Sequence, residues 1–206
     1  MTILSEDLTV YSCMTGDYDD TQEDGRIYVP ASNRFHHNRM NAKVPKILSH
    51  KYTSTEWSVW VDSNIIMRCT YIELIKSFLA INPDLQVGIF THPERTQTIQ
   101  EIEECKRIGL DEQDRLDYHK GRGDGEKLGY CGIIVRRNTD LVAQYNEKWW
   151  AEITRGSSRD QCSFPYTLGK IATYKDLEPH ESMLGNLHQN NKFYQRSGHK
   201  KGNTLQ

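Results

Sequence analysis

The sequence predicts an α/β protein with a mixed, mostly parallel sheet flanked by helices. Two observations predict this class. Short β-branched and aromatic runs, typical of buried strands, alternate along the chain with amphipathic segments of helical period. Polar residues able to carry chemistry follow directly after predicted strands, where open α/β sheets bind their ligands.

Length and composition exclude several function classes. The 206 residues suffice for one domain over 1–206, and a net charge of −2 gives no overall basic field for nucleic acid. The five cysteines form no C-x-x-C pair, so neither a zinc site nor a disulfide framework is expected. The first ten residues include Glu6 and Asp7 and no long apolar run, so we expect no signal peptide, and no apolar run has transmembrane length. We therefore expect a cytoplasmic protein with reduced thiols and no membrane span.

The elements follow from local patterns. Runs of strand-forming residues predict the main strands, at 8–13, 57–61, 86–90 and 128–136, with a short strand at 26–30. Apolar residues at helical spacing predict the helices, at 41–50, 70–82, 96–108 and 139–153. Pro45 is expected near the first turn of its helix. The charged, glycine-containing segment 111–127 predicts a mobile loop beside a site, and the serine cluster at 157–158 predicts a helix start.

The central strand ends at Asp62, and Asn64 follows two residues later. Two oxygen-bearing side chains at positions i and i+2 of a tight turn can face one point. That arrangement suits Mg²⁺ or Mn²⁺, which also takes oxygens from a substrate phosphate. Asp and Asn are also common in ordinary turns, so the pattern alone leaves both interpretations open.

Two other segments contain residues that could bind a nucleotide. In the loop after the first strand, Gly16 would let the backbone approach a ligand and Tyr18 could stack on a base; an acidic surface turn is the alternative. Arg39, Lys43 and Lys46 are predicted at or near a helix start, where they oppose the helix dipole. This cost is easier to understand if they face a pyrophosphate, although a solvated basic face is the usual explanation.

Several segments agree with one family. They are 11–19, 41–48, 60–64, 92–95 with Glu101, 118–121, 129–136 and 158–164. In this order they resemble GT-A glycosyltransferases, and most closely the uncharacterised-domain glycosyltransferases of plants and bacteria. The two clearest motifs are Trp-Val-Asp-Ser-Asn, ending at Asn64, and Arg-Asp-Gln-Cys-Ser-Phe, beginning at Arg159. The first departs from the Asp-x-Asp of many relatives, which makes Asn64 a weaker ligand or one that acts through water.

The resemblance implies a GT-A (nucleotide-diphospho-sugar transferase) fold and a donor that carries a nucleotide diphosphate. It implies a metal site for Mn²⁺ or Mg²⁺ made by Asp62, Asn64 and the late His199, with His188 as the alternative late ligand. The implied donor-binding residues are Thr15, Gly16, Asp17, Tyr18, Arg39, Lys43, Ser63, Arg159 and Lys200, together with Asp62. The polar, basic tail 189–206 would close over the donor.

The implied catalytic residues are Asp160 and Gln161, which resemble the Asp-Gln at a helix start that faces the donor sugar in retaining relatives. Asp160 would bind the sugar or act as catalytic base. The alternative is structural, with Asp160 as a helix cap paired to Arg159.

Competing classes are separated by further motifs. The chain lacks G-x-G-x-x-G, P-loop and G-x-S-x-G motifs, which leaves oxidoreductase, P-loop kinase and hydrolase without support. The alternatives are a nucleotidyltransferase, which would typically carry a basic glycine-rich first loop, and a non-catalytic nucleotide-sugar- or carbohydrate-binding module. The expected acceptor is a cell-envelope or other glycan, or a hydroxymethylated base in DNA as for small bacteriophage glycosyltransferases. Basic segments 119–122 and 199–201 would contact DNA phosphates.

Overall fold

The computed structural model describes residues 3–15, 19–20, 22, 24–180 and 186–198. Eight strands are present in these residues. They are β1 (Leu8–Ser12), β2 (Ile27–Tyr28), β3 (Trp57–Val61), β4 (Ile65–Met67), β5 (Val87–Thr91), β6 (Gly129–Arg137), β7 (Ala172–Lys175) and β8 (Tyr194–Arg196). Six of them form the main sheet, in the order β2-β1-β3-β6-β5-β7, and β4 pairs with β8 in a small antiparallel ribbon.

The strand directions confirm the predicted sheet. β6 runs antiparallel to both of its neighbours, β3 and β5, while the other three neighbouring pairs are parallel. All strands of the main sheet except β6 therefore point the same way. Their carboxyl ends meet at one edge, where the polar segments after β1 and β3 come together.

Helices cover both faces of the sheet. They are α1 (Asn38–Ile47), α2 (Tyr71–Leu79), α3 (Thr98–Arg107), α4 (Gln113–Asp117), α5 (Asp140–Arg155) and α6 (Asp160–Ser163). Val59 and Val61 of β3 pack in one core with α2, whereas Trp60 between them packs in a second core with α1 and α5. The strand is buried on both faces, which explains its continuous apolar sequence.

Most predicted elements are confirmed within a few residues at each end. Thr70 caps α2 through a reciprocal pair of hydrogen bonds with Glu73, and the Thr139 hydroxyl accepts a hydrogen bond from the Val142 amide at the start of α5. Gly109, expected to end α3, follows that helix with a φ of +62°, a conformation that glycine adopts without strain.

Two local predictions are wrong. α1 begins three residues earlier than expected, so Pro45 lies in its last turn and not near its first. The amides of Met40 and Asn41 already donate to the His37 carbonyl, so helical hydrogen bonding begins before the expected start. The segment 111–127 is not an open loop, because it contains α4 and buries Leu116 and His119. In the part of the chain that the structure describes, we find no helix long and apolar enough to span a bilayer.

Candidate active site

The site begins at the carboxyl end of β3. The indole Nε1 of Trp60 donates a hydrogen bond to Oδ1 of Asp62 at 2.7 Å, and the Lys46 ammonium donates to the same oxygen at 3.0 Å. The Asp62 side chain is 38% exposed, whereas that of Lys46 is 3% exposed. Asp62 is therefore fixed from the protein side and open to solvent on the other.

Asp160 closes the cluster from α6. Its Oδ2 lies 2.6 Å from Nζ of Lys43 and 2.7 Å from Nζ of Lys46. The two lysines are three residues apart on α1, so they share one face of that helix. Two carboxylates and two ammonium groups thus form one cluster, which runs from Asp62 through Lys46 to Asp160 and Lys43.

Burial and neighbouring charge set the protonation states. Burial by itself would raise the pKa of Asp160, but Lys43 and Lys46 lower it well below its usual range, so the carboxylate is ionised. Burial and then the Lys46 ammonium lower the pKa of Lys43 to about 8, although Asp160 acts in the opposite direction. Burial would also lower the pKa of Lys46, but Asp160 and Asp62 raise it. Of the two lysines, Lys43 is therefore the one whose pKa lies closer to neutral pH.

The structure does not support the alternative in which Asp160 is a helix cap, because Arg159 holds the cap position of α6. A capping carboxylate is held by the backbone amides of the first turn. Among the described residues, only the Gln161 backbone amide donates to the Asp160 carboxylate, at 3.2 Å, and the two lysines carry the stabilisation. The Arg159 Nε donates to Glu101 at 2.7 Å, so Glu101 is its ion-pair partner, although the Arg159 charge also helps to lower the pKa of Asp160.

Glu101 organises the other side of α6. It is 1% exposed and accepts hydrogen bonds from Nε of Arg95 at 2.6 Å and from Nε of Arg159 at 2.7 Å. Burial would raise its pKa, but Arg159 and Arg95 lower it to about 2. Gln161 is buried beside this network, and its amide donates to the Gly129 carbonyl at 3.4 Å. Arg159 is thus held next to Asp160 while 29% of its side chain stays exposed.

Of the three predicted metal ligands, Asp62 and Asn64 lie in the described part of the chain and His199 lies outside it. The Asn64 amide donates to the Ser197 carbonyl at 3.2 Å, and Ser63 donates to Asp19 at 2.5 Å. Among the described residues, no group of three His, Cys, Asp or Glu side chains could hold a metal ion. Mg²⁺ takes one or two carboxylates plus water and phosphate oxygens, so the accessible Asp62 fits an ion shared with a diphosphate.

The remaining predicted residues lie apart or outside the described residues. The Arg39 guanidinium donates to the Leu110 carbonyl at 2.9 Å, and Thr15 follows β1 at the same edge of the sheet as Asp62. His188 lies against Arg196, with 2.6 Å between its Nε2 and the guanidinium. Five predicted site residues fall outside the described part of the chain, namely Gly16, Asp17, Tyr18, His199 and Lys200.

The basic segment 119–122 is engaged within the fold. His119 is buried, and its Nε2 accepts a hydrogen bond from the Ser157 amide at 2.9 Å. Lys120 pairs with Asp117 at 2.6 Å, and Arg122 lies over the Tyr118 ring. Burial and then Arg122 lower the pKa of His119 to about 4, so this histidine is neutral at pH 7.

Sequence reasoning missed some contributors. Lys46 was noted only as part of a basic helix face, and Arg26, Arg95 and Glu101 had no assigned role. The signal for Lys46 is its position in a helix beside apolar residues that pack into the core. A cation that is buried with them requires a partner of opposite charge. For the contacts of Arg26 with the turn at Asp62 the sequence carries no such signal, because those partners are backbone carbonyls.

Fold and site together define a class. A mixed, mostly parallel sheet flanked by helices carries an Asp-Ser-Asn turn at its central strand and an Asp-Gln helix start beside it. The chain carries a glycosyltransferase-like domain. Residues 25–199 match the family model described as TOD1/MUCI70, glycosyltransferase-like domain, and the chain belongs to this family.

Individual relatives are more distant. The chain is 26% identical over 164 residues to the "Probable hexosyltransferase MUCI70" of Arabidopsis thaliana; the match covers 71% of this chain and 28% of the relative. One similar solved structure is a glycosyltransferase involved in glycosylation of the major capsid of PBCV-1, with a TM-score of 0.46, 14% identity and 82% coverage of both chains. Another is the galactosyltransferase LgtC, with a TM-score of 0.42, 10% identity and coverage of 72% of this chain and 52% of that one. Neither structural likeness carries a conclusion by itself.

Proposed function

We propose that this protein transfers a sugar from a nucleotide-diphosphate sugar to an acceptor hydroxyl, with Mn²⁺ or Mg²⁺ bound. The observation that carries the proposal is the ionic cluster of Asp62, Lys46, Asp160 and Lys43 at the carboxyl ends of the strands. A glycosyltransferase must stabilise a diphosphate leaving group, and a carboxylate for the cation together with two ammonium groups supplies this.

The roles follow from exposure and charge. Asp62 is the most exposed member and would hold the cation, which neutralises part of the diphosphate charge. Lys43 is 14% exposed against 3% for Lys46, so it is the lysine better placed to meet a phosphate oxygen. When the lysine ammonium groups interact with the diphosphate, they neutralise the Asp160 carboxylate less. Asp160 can then accept a hydrogen bond from a sugar hydroxyl or take the acceptor proton.

In the transfer itself, the bond between the anomeric carbon and the diphosphate oxygen breaks and a bond to the acceptor oxygen forms. The diphosphate leaves with the bonding electron pair, and the acceptor hydroxyl loses its proton. We propose that Asp160 takes up that proton or accepts hydrogen bonds from the sugar hydroxyls. Gln161 and Arg159 lie beside it and would orient the sugar, while Ser63 and the loop 15–18 would hold the nucleoside.

The chain after residue 189 would complete the donor site. β8 pairs with β4, and the Ser197 amide donates to the Asn64 carbonyl at 2.8 Å, so this part of the tail is tied to the turn that carries Asp62. We propose that His199 and Lys200, which follow directly, act on the cation and the diphosphate. In this proposal residues 1–206 work as one domain.

The acceptor we favour is a glycan hydroxyl rather than a modified base in DNA. DNA binding requires cationic side chains that face phosphates, whereas in segment 119–122 His119 is buried and the exposed Lys120 and Arg122 are each paired with a carboxylate. We also propose a cytoplasmic location, because the five cysteines are free in the structure.

The test is a donor screen. The protein is incubated with a panel of nucleotide sugars and Mn²⁺, and release of nucleoside diphosphate is measured with and without a chelator. We expect slow hydrolysis for one donor, lost with the chelator and in Asp62→Ala. Asp84→Ala, which changes an exposed carboxylate in another loop, is the matched control and should behave like the native protein.

A second candidate is a non-catalytic nucleotide-sugar-binding module. It is favoured by one observation, namely that Asp160 and its two lysines already neutralise one another deep in the site. Metal-dependent binding of a nucleotide sugar with no hydrolysis and no transfer across many acceptors would support this module over the enzyme.

A further inference from the structure

One buried arginine spans the turn that carries Asp62. Nη1 of Arg26 donates to the Asp62 carbonyl at 3.2 Å, and Nη2 donates to the Ile65 carbonyl at 2.8 Å. The Ile65 amide in turn donates to the Asp62 carbonyl at 3.0 Å, so these two carbonyls mark the two ends of the turn. The Arg26 side chain is 0% exposed, and one guanidinium therefore fixes the whole turn.

A second layer fixes the arginine. Asp24 accepts a hydrogen bond from Nε of Arg26 at 2.8 Å, and its other carboxylate oxygen forms an ion pair with Nη2. The Tyr71 hydroxyl, at the start of α2, donates to the same carboxylate at 2.6 Å. A buried guanidinium is costly unless it is paired and hydrogen-bonded, and Asp24 provides that pairing. The contacts form a chain from α2 through Asp24 and Arg26 to the turn.

We propose that Arg26 is a positioning residue that holds the Asp62 carboxylate in the orientation needed to bind a cation and a diphosphate. The proposal rests on the function proposed above. Lysine is not an equivalent replacement, because only a planar guanidinium can reach two carbonyls and a carboxylate at once. The role of Arg26 is thus exerted through Asp62, with no contact to the sugar.

Hydrogen exchange tests the positioning without any ligand. In Arg26→Lys we expect the amides of residues 62–66 to exchange about tenfold faster or more, since charged hydrogen bonds to both ends of the turn are weakened. Tyr71→Phe removes only the hydroxyl on Asp24 and should give a smaller increase at the same amides. It keeps the test available if the arginine variant folds poorly. Arg137→Gln, which changes a half-buried arginine of β6 paired with Glu56, is the control. Unchanged exchange at 62–66 in both test variants overturns the proposal.

A double-mutant cycle then tests the link to Asp62. Affinity for UDP and GDP in the presence of Mn²⁺ is measured by calorimetry in native protein, Arg26→Lys, Asp62→Ala and the double variant. We expect about a tenfold loss from Arg26→Lys in the native background and no further loss when Asp62 is already absent. Losses that multiply independently would show that Arg26 does not act through Asp62. If native protein binds no nucleoside diphosphate, the proposed function fails, and hydrogen exchange still decides the role of Arg26.

Discussion

The Nζ atom of Lys46 lies 2.7 Å from Oδ2 of Asp160, and both side chains are almost completely buried. This contact joins the last turn of α1 to the first residue of α6 across the edge of the sheet. Lys46 therefore belongs to the architecture as well as to the site, since a buried charge requires a partner and each of these two supplies one to the other.

Loss of Lys46 should therefore cost stability as well as binding. We expect Lys46→Met to lower the free energy of unfolding by about 3 kcal/mol, because Asp160 keeps its charge and loses one of two buried partners. Urea unfolding at pH 7 measures this, and Asp160→Asn in the same chain should recover part of the loss. Lys51→Met is the control, since that lysine is exposed and its pair with Glu147 is worth less than about 1 kcal/mol. Equal effects of the two lysine substitutions would contradict the role of Lys46.

Lys43 should make diphosphate binding depend on pH. Its pKa of about 8 means that roughly one-tenth of the ammonium remains at pH 9. Affinity for a nucleoside diphosphate should accordingly fall as the pH rises from 7 to 9, and Lys43→Arg, which keeps its charge, should remove that dependence. Calorimetry at both pH values measures the effect.

Lys43→Ala should lower the affinity for the nucleoside diphosphate much more than the affinity for the nucleoside. Equal losses of affinity for both ligands would indicate a folding defect in α1.

Asp160 should affect transfer more than donor binding. In Asp160→Asn we expect sugar transfer to fall by about two orders of magnitude, the scale of a general base. Affinity for the nucleoside diphosphate should be kept or increased, because Lys43 and Lys46 are released from a competing carboxylate. Steady-state transfer rates and calorimetry separate the two effects, and Gln161→Ala should be milder. Native transfer rates in Asp160→Asn would restrict this residue to a structural role.

His119 should make the fold less stable in acid. Its pKa is about 4 in the fold and about 6.5 in an unfolded chain, so the unfolded state binds more protons between these values. Stability is thus fully present above pH 6.5 and is lost as the pH falls toward 4. At pH 5 the free energy of unfolding should be lower by about 2 kcal/mol than above pH 6.5 because of His119.

Chemical unfolding at pH 7 and pH 5 measures this contribution. His119→Gln keeps an acceptor for the Ser157 amide but cannot take up a proton, so it should lose stability less steeply on acidification than the native protein. His36→Gln, a substitution in an exposed loop, should follow the native protein at both pH values. A native pH dependence in His119→Gln would contradict the prediction.

The sequence determined the elements and the order in which they lie along the chain. β3 was predictable because its apolar residues are continuous, and the turn at Asp62 was predictable because that strand stops at a polar residue. These signals are local: they depend on side-chain periodicity and on the backbone preferences of neighbouring residues. The same is true of the caps at Thr70 and Thr139, whose partners lie within three residues.

Local patterns failed where a residue has two possible partners at different distances along the chain. The sequence predicts Pro45 near the first turn of its helix because proline favours that position, but the residues before it continue the helix toward its amino end. Arg159 and Asp160 are adjacent and opposite in charge, so a pair between them is the structural alternative that the sequence offers. The folded chain instead brings Glu101 to Arg159 and two lysines to Asp160.

The sequence by itself thus determined the α/β class, the strand that ends at Asp62 and the identity of the charged residues near it. Only the tertiary structure decided which charges meet. The packing of α1 and α6 against one sheet edge places Lys46 between Asp62 and Asp160, and the burial of Arg26 ties the Asp62 turn to α2. Burial is the physical reason, because removal of water makes each charge depend on a partner that only the complete fold can bring to it.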